Sequence, residues 1–378
     1  MSNIENLLIL YAGLVLLNTA ISAIIWRQQK TTLSKQLFII WTATFTVLFA
    51  QGLLTQNHFV IAIGFSFTFF INTAITNFIS TYTKTSLPSK LFYALFSISL
   101  VMGGISFYSG YSFLTITLPI TLAVSFPLFF TAYIVSKSKW NKLNFTGKAL
   151  IITIIFFAIH NIDYAFLRTI ESATALGFTV ATLLVFALSI FAPAIVLEAV
   201  TEEKSRISAE VDVAQHIQME ILPKKPEIPG LDLECYMKAA DEVGGDYYDV
   251  YSFESNAWIL LGDVAGHGLG SGLVMFMAQS ILSSILHTKV DITPKELNYI
   301  ANNILYENLE RLNEKRPMTL ASLRFENERE FTISGSHDNI FIYRDKTKTV
   351  DTIEVDQFPF GIGFMNDIEL SMIEENTH

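Results

Sequence analysis

Apolar residues follow two different patterns along this chain of 378 residues. Up to about residue 200 they come in long runs with few charges between them; beyond it the runs are short and broken by polar residues and turns. Seven long runs stand out, at roughly 6–26, 37–56, 58–80, 91–108, 111–135, 148–168 and 174–198. Each is near the ~20 residues that a helix needs to cross a bilayer. This predicts an all-α, seven-helix membrane bundle over 1–200. The first run is too long, and lacks the basic start, for a cleaved signal peptide. Pro193, inside the last run, is expected to kink it. From 198 to 222 charges appear, but Ile207, Val211, Ala214, Ile217 and Ile221 recur at alternating steps of four and three, the spacing of a helical seam. A helical linker is predicted over 201–228. It is either a dimer-forming signalling helix continuing from the last span or one amphipathic helix packed on its own domain. The stretch "LPKKPEIPG" ends it.

From 229 to 378 the period changes again. "LDLECYMKAA", "YYDVYSF" and "AWILLGDV" read as strands, the last short and apolar enough to be buried. "GLVMFMAQSILSSILH" reads as a helix, and "TPKELNYIANNILYENLERL" as a second one with Thr293 as cap and Pro294 in its first turn. "MTLASLRFE", "REFTISGSH" and "NIFIYRD" read as three more strands. Strands, two helices, then strands predict an α+β sandwich.

Charge sharpens the division. Residues 1–200 hold 10 basic and 4 acidic side chains, and 201–378 hold 15 and 31. Only 16% of the chain is charged, against about 25% in an ordinary soluble domain. Nine basic residues lie in the links after the first, third and fifth runs, where Arg27, Lys84 and Lys137 are the first of each group; the links after the second, fourth and sixth hold only Arg168. Basic loops stay cytoplasmic. The expected placement is therefore the cytoplasmic (inner) membrane in contact with its lipids, multi-pass, with the N-terminus outside and the C-terminal domain in the cytoplasm. The strongly acidic C-terminal part argues against nucleic-acid binding. The single cysteine, Cys235, permits no internal disulfide. In the sixth run, His160, Asp163, Tyr164 and Arg168 fall within about two helical turns. Ionisable groups at that depth usually face a bundle interior or water-filled cavity. They are either an intramembrane sensor or a structural polar cluster.

The chemistry concentrates in "DEVGGDYYDV" (241–250) and "LLGDVAGHGLGSG" (260–272). Carboxylates at two strand ends can converge on a hard divalent cation such as Mg²⁺ or Mn²⁺, and glycines let backbone carbonyls join them. Asp246 and Asp263 are the candidate ligands. Asp249, three residues on, points to the other face of a strand and is expected at the surface or in a turn.

"VGGDYYDV", "LGDVAGHG" and the preceding "AQHIQMEILP" resemble the bacterial branch of the protein phosphatase 2C family, that of the sporulation stage II phosphatase. "MTLASLRFE", "SGSHDNIFIYR" and "FPFGIG" extend the resemblance over about residues 206–378. It implies an αββα sandwich, two Mn²⁺ or Mg²⁺ ions, and hydrolysis of phosphoserine or phosphothreonine by a metal-activated water. It further implies that Asp246 is a metal ligand, that Asp263 bridges both metals, that Val264 ligates through its backbone carbonyl, and that Gly244, Gly245, Gly266, His267 and Gly268 shape the loops. The substrate it implies is a phosphorylated regulatory protein, an anti-sigma-factor antagonist or similar domain. The membrane part resembles seven-helix sensor modules only in architecture.

The family pattern continues to a "TDG"-type motif and a further acidic ligand. Here the sequence ends at "MNDIELSMIEENTH", and Asp367 is followed by Ile368. The phosphatase-like domain is therefore expected to be C-terminally incomplete, to hold its second metal weakly and to turn over phosphoprotein poorly. Three other readings compete. In one, the chain is a catalytically deficient membrane receptor whose domain only binds a partner. A nucleotide-binding loop is weak, since glycines 266, 268, 270 and 272 give neither GxGxxG nor GK[ST]. A transporter accounts for the spans but not for the attached domain.

Overall fold

A long apolar run in lipid can satisfy its own backbone hydrogen bonds as a helix, without water or a partner strand. The described residues of the first part are almost all helical. The computed structural model describes residues 3–52, 58–167, 169–170, 173–238, 243–327, 329–355, 361–363 and 375–378. It divides into two compact units, Met1–Glu203 and Lys204–His378.

The first unit contains α1 (Asn3–Gln29), α2 (Thr32–Gly52), α3 (His58–Ser66), α4 (Thr68–Thr83), α5 (Ser89–Tyr108), α6 (Phe113–Ser138), α7 (Phe145–Leu167) and the start of α8 (Thr174–Ile221). The seven expected segments become eight helices because the third is divided at Phe67. Trp41, Phe78, Leu128, Ile151, Leu188 and Ile195 form one buried core. Phe69, Phe92, Phe96 and Val124 form a second. Leu17, Val101, Ile105, Phe156 and Leu183 are exposed. By length and composition, eight helical segments among the described residues suffice to cross a membrane. Seven match the expected runs; the eighth, α9 (Leu269–Thr288), lies in the second unit. Helix α8 continues through Pro193 to Ile221, so the predicted linker and the last run are one helix.

The second unit is built on a five-stranded antiparallel sheet of β1 (Asp246–Ser252), β2 (Ala257–Val264), β3 (Met318–Phe325), β4 (Phe331–Ser336) and the short β7 (Asn376–Thr377), in that spatial order. Helices α9 and α10 (Pro294–Leu312) pack on each other, with α9 on β1 and β2 and α10 on β3 and β4. Val274, Met275, Ala278, Leu282 and Ile285 on α9 meet Trp258 and Leu260 of the sheet, which explains why this helix is so apolar. Leu297, Ala301, Leu305 and Leu309 give α10 a buried stripe at four-residue steps. Each such leucine contributes roughly 1.5–3 kcal/mol by burial. Thr293 and Glu296 close a reciprocal capping box at its start. Across the sheet, Ala321, Leu323, Ile333 and Val355 form a smaller cluster with Ile340.

Three expectations change here. The stretch 231–238 forms no ladder, only a bridge between Ile228 and Leu231, because alternation supplies no partner strand; Ala239 and Ala240 lie outside the described residues. A four-layer αββα sandwich is not present among the described residues. The remaining strands, β5 (Ile340–Arg344) and β6 (Thr349–Ile353), make a two-stranded ribbon whose residues are mostly exposed, with Ile340 packed on the small cluster across the sheet. The surface placement of Asp249 is wrong. It does point away from Asp246, but α9 packs on that part of the unit and Asp249 is only 7% exposed.

Asp249 Oδ2 accepts from the hydroxyls of Tyr251 (2.6 Å) and Tyr247 (3.3 Å), and Oδ1 accepts from the Val250 amide (2.9 Å). Burial raises its carboxyl above the usual carboxylate range, and these donors partly offset that. Asp249→Ala leaves two hydroxyl groups without their acceptor. It should cost about 2–6 kcal/mol, at roughly 1–3 kcal/mol per orphaned group. Asp249→Asn retains an acceptor and should cost less. Urea unfolding followed by tryptophan fluorescence checks the order.

Candidate metal-binding and catalytic site

Two apolar strands that must bury one face have a fixed register, because a slip of one residue exchanges the faces. The register pairs Asp246 with Asp263 directly across β1 and β2. Directly opposed residues share a face, with Cβ atoms roughly 4.5–5.5 Å apart. Both aspartates are exposed at the end of the ladder. Partial burial, followed by the facing charge of Asp246, raises the Asp263 carboxyl above its usual range; His337 pulls it down again.

Gly245 precedes β1 and is buried. A Cβ there would stand 2.6 Å from the Val264 carbonyl oxygen and 3.0 Å from Asp263 Oδ1. A main-chain carbonyl and a carboxylate therefore crowd the same point above Gly245. Only glycine leaves that point open. The Gly245 carbonyl accepts from the Val264 amide at 3.1 Å, tying the two strand ends together. Gly244 is held differently. Its amide donates to Gln218 Oε1 (3.0 Å) and its carbonyl accepts from Gln218 Nε2 (2.9 Å). Gln218 is fully buried on α8.

Gly266, His267 and Gly268 lead from β2 into α9. Gly266 and Gly268 adopt φ of +96° and +83°, a backbone region that favours glycine. His267 is exposed, and its carbonyl accepts from Arg316 Nη1 at 3.3 Å. Arg316 Nε also donates to Glu314 at 3.0 Å.

Asp246, Asp263 and the Val264 carbonyl offer only hard oxygen donors. They fit Mg²⁺ or Mn²⁺, ions that keep several waters. Among the described residues, no group of three or more His, Cys, Asp or Glu side chains is poised to hold a metal. Asp367 and the start of "FPFGIG" lie outside the described residues.

In the first unit, His160 Nδ1 lies 3.0 Å from Asp163 Oδ1, and Tyr164 stacks on Phe65 at 4.2 Å. Arg168 lies outside the described residues. Gln218, Thr319, His337 and Arg316 were not predicted as site residues. Gln218, Thr319 and His337 fall inside the quoted motifs, but no local spacing places them beside the aspartates.

Residues 254–374 match the family model described as Stage II sporulation protein E (SpoIIE). The C-terminal unit thus contains a SpoIIE-family domain of the protein phosphatase 2C type. Asp263 through Gly268 fall inside the match and Asp246 just before it. A curated relative is the phosphoserine phosphatase RsbU of Bacillus subtilis (strain 168), 24% identical over 160 residues, covering 42% of this chain and 47% of RsbU. The chain therefore matches about half the length of that relative. Among solved structures, the SiaA-PP2C domain of Pseudomonas aeruginosa aligns with a TM-score of 0.36 at 18% identity, covering 47% of this chain and 68% of the other. The RsbU and RsbW domains of Rv1364c from Mycobacterium tuberculosis align with a TM-score of 0.29 at 15% identity, covering 36% and 35%.

The two adjacent glycines should respond differently to a methyl group. A Cβ on Gly244 would meet nothing nearer than 3.9 Å, whereas on Gly245 it meets the Val264 carbonyl. Gly244→Ala should keep the rise in melting temperature produced by Mn²⁺, and Gly245→Ala should lose most of it. Differential scanning fluorimetry with and without Mn²⁺ makes the comparison.

Proposed function

We propose that this chain is a membrane-bound, metal-dependent serine/threonine protein phosphatase in signal transduction. Its substrate is phosphoserine or phosphothreonine on a regulatory protein, of the anti-sigma-factor-antagonist kind. The observation that carries this is the Asp246–Asp263 cross-strand pair, with Asp263 Oδ1 and the Val264 carbonyl converging above Gly245, in the unit that holds the SpoIIE-family match. The relative's name, phosphoserine phosphatase, supports the same substrate class.

Asp246, Asp263 and the Val264 carbonyl would hold Mn²⁺ or Mg²⁺. Such an ion neutralises phosphate oxygens and makes water a nucleophile near neutral pH. The chain's own residues do the positioning. The β1–β2 register opposes the two carboxylates, Gly245 keeps their meeting point open, and the positive-φ glycines turn the chain into α9. Because both carboxylates are exposed at a rim, a phosphorylated side chain on a folded protein reaches them without entering a deep cavity. A second ion would have to share the same few donors, and its site is correspondingly weak.

Seven spans in the cytoplasmic membrane, with the N-terminus outside, accord with the apolar exterior of the first unit and the loop charges. On α8, Gln218 is buried while Ile207, Ile217 and Ile221 are exposed, and Leu222, just past its end, is buried. That leaves an outward apolar seam for a homodimer. It also gives a route for regulation, since a shift of α8 would act on Gly244 through Gln218. His160, Asp163 and Tyr164, with Arg168, are the candidate sensor in the bundle. The receptor reading is favoured by one fact: only two carboxylates converge among the described residues.

The test uses the full chain in detergent or nanodiscs with Mn²⁺, on p-nitrophenyl phosphate and a phosphoserine protein. Asp246→Asn and Asp263→Asn should lower turnover by at least the ~10–100-fold that loss of an outer-shell partner costs a metal site. Chelation should abolish turnover and added Mn²⁺ restore it. Equal turnover in wild type and both variants supports the receptor instead.

A further inference from the structure

The cross-strand row that begins at Asp246 does not end at Asp263. Asp263 is paired in register with Thr319 on β3. Leu320 pairs with Ser336 on β4, so the next step of that antiparallel ladder brings Thr319 opposite His337. One transverse row therefore reads Asp246, Asp263, Thr319, His337 across four neighbouring strands. Its two distal members are wired to Asp263. Thr319 Oγ1 lies 3.0 Å from the Asp263 amide nitrogen, 3.2 Å from the Asp263 carbonyl oxygen and 2.9 Å from His337 Nδ1.

A hydroxyl has one proton and two lone pairs. It accepts from the Asp263 N–H, which needs an acceptor. If it donates to the Asp263 carbonyl, its second lone pair must accept from His337. All three contacts are hydrogen bonds only when His337 carries a proton on Nδ1. The imidazole is held from its own main chain as well, since the His337 amide donates to the Val355 carbonyl at 3.0 Å. His337 does not join the aspartates as a ligand set, because no such group of three exists among the described residues.

We infer that Thr319 and His337 are positioning residues for the metal site. Thr319 clamps both main-chain polar groups of Asp263, and His337 orients the Thr319 hydroxyl. This rests on the phosphatase reading only in taking Asp263 as a metal ligand. The clamp fixes the residue whose carboxylate and following carbonyl face Gly245. Loosening it lets both donors drift, whereas the core beneath is untouched because Thr319 itself is exposed.

The experiment measures Mn²⁺ affinity of the full chain in detergent by the electron paramagnetic resonance signal of free Mn²⁺, with turnover recorded separately. Thr319→Val keeps the shape and removes the hydroxyl. It should weaken Mn²⁺ binding by about 10–100-fold, the usual effect of removing an outer-shell partner. Thr319→Ser should stay within about threefold of wild type by restoring that partner. His337→Asn, which keeps a donor at the δ position, should bind Mn²⁺ better than His337→Ala. At saturating Mn²⁺, Thr319→Val should recover most of its turnover, a split that general destabilisation would not produce. Unchanged affinity in Thr319→Val, beside lost affinity in Asp263→Asn, overturns the inference alone. So does a Thr319→Ser variant as weak as Thr319→Val. Unchanged affinity in Asp263→Asn overturns the metal reading, and this inference with it.

Discussion

Two negative charges set opposite each other in a β-ladder are the constraint on which the second unit depends. Opposed like charges destabilise a pair of strands. The register that opposes Asp246 and Asp263 is nevertheless fixed, because Trp258, Leu260 and Val264 of β2 must all face α9 and α10. The hydrophobic core thus imposes a repulsion that the strands would otherwise avoid. Partial burial first, and then the facing charge of Asp246, raise the Asp263 carboxyl above its usual range. Placing a divalent cation between the two removes that cost. Burial on one face of the sheet sets two carboxylates against each other at the strand ends.

Much of this was legible in the sequence, for stated physical reasons. The span of β2 follows from an apolar run too short for a helix, and α10 from its cap, its proline and its four-residue stripe. Long runs gave the helices of the first unit, since apolarity over about 20 residues has no common soluble counterpart. What failed depended on partners distant in sequence. Alternation at 231–240 suggests a strand, but among the described residues only Leu231 pairs, in a single bridge with Ile228. The parity of Asp249 gave its side of β1 correctly and could not show that a helix covers that side. Asp246 and Asp263 were identified by type and setting, while Thr319 and His337 join them only through strand pairings separated by 56 and 18 residues. A polar β7 of two residues, Asn376–Thr377, offers no pattern to find.

Helix α8 shows how one segment serves two surfaces. The positions Ile207, Ile217 and Ile221 form part of the seam seen in the sequence, and they are exposed. Gln218 and Leu222, one residue further round, are buried in the second unit. A single helix therefore presents an apolar stripe outward while its other face enters the core and grips the Gly244 peptide. The grip uses both ends of one amide side chain, so it reads orientation as well as distance. An aliphatic side chain at 218 would fill the space and still leave that peptide without its two partners.

The same strand carries two carboxylates in opposite settings, Asp246 exposed and Asp249 nearly buried. Asp249 is nearly buried, yet two tyrosine hydroxyls and an amide occupy its oxygens. Burial raises its carboxyl and those donors lower it, leaving a group whose needs are met inside the protein. Asp246 and Asp263 have water on one side and each other across the ladder. Thr319 adds no donor to the Asp263 carboxylate, because its contacts are with the Asp263 amide and carbonyl. A clamp on the backbone can fix a ligand's position without consuming its lone pairs. A donor on the carboxylate would fix it equally well and compete with the metal. The division of labour along β1 is therefore chemical as well as geometric: carboxylates that stabilise are saturated with donors, and carboxylates that bind a cation must be held from behind.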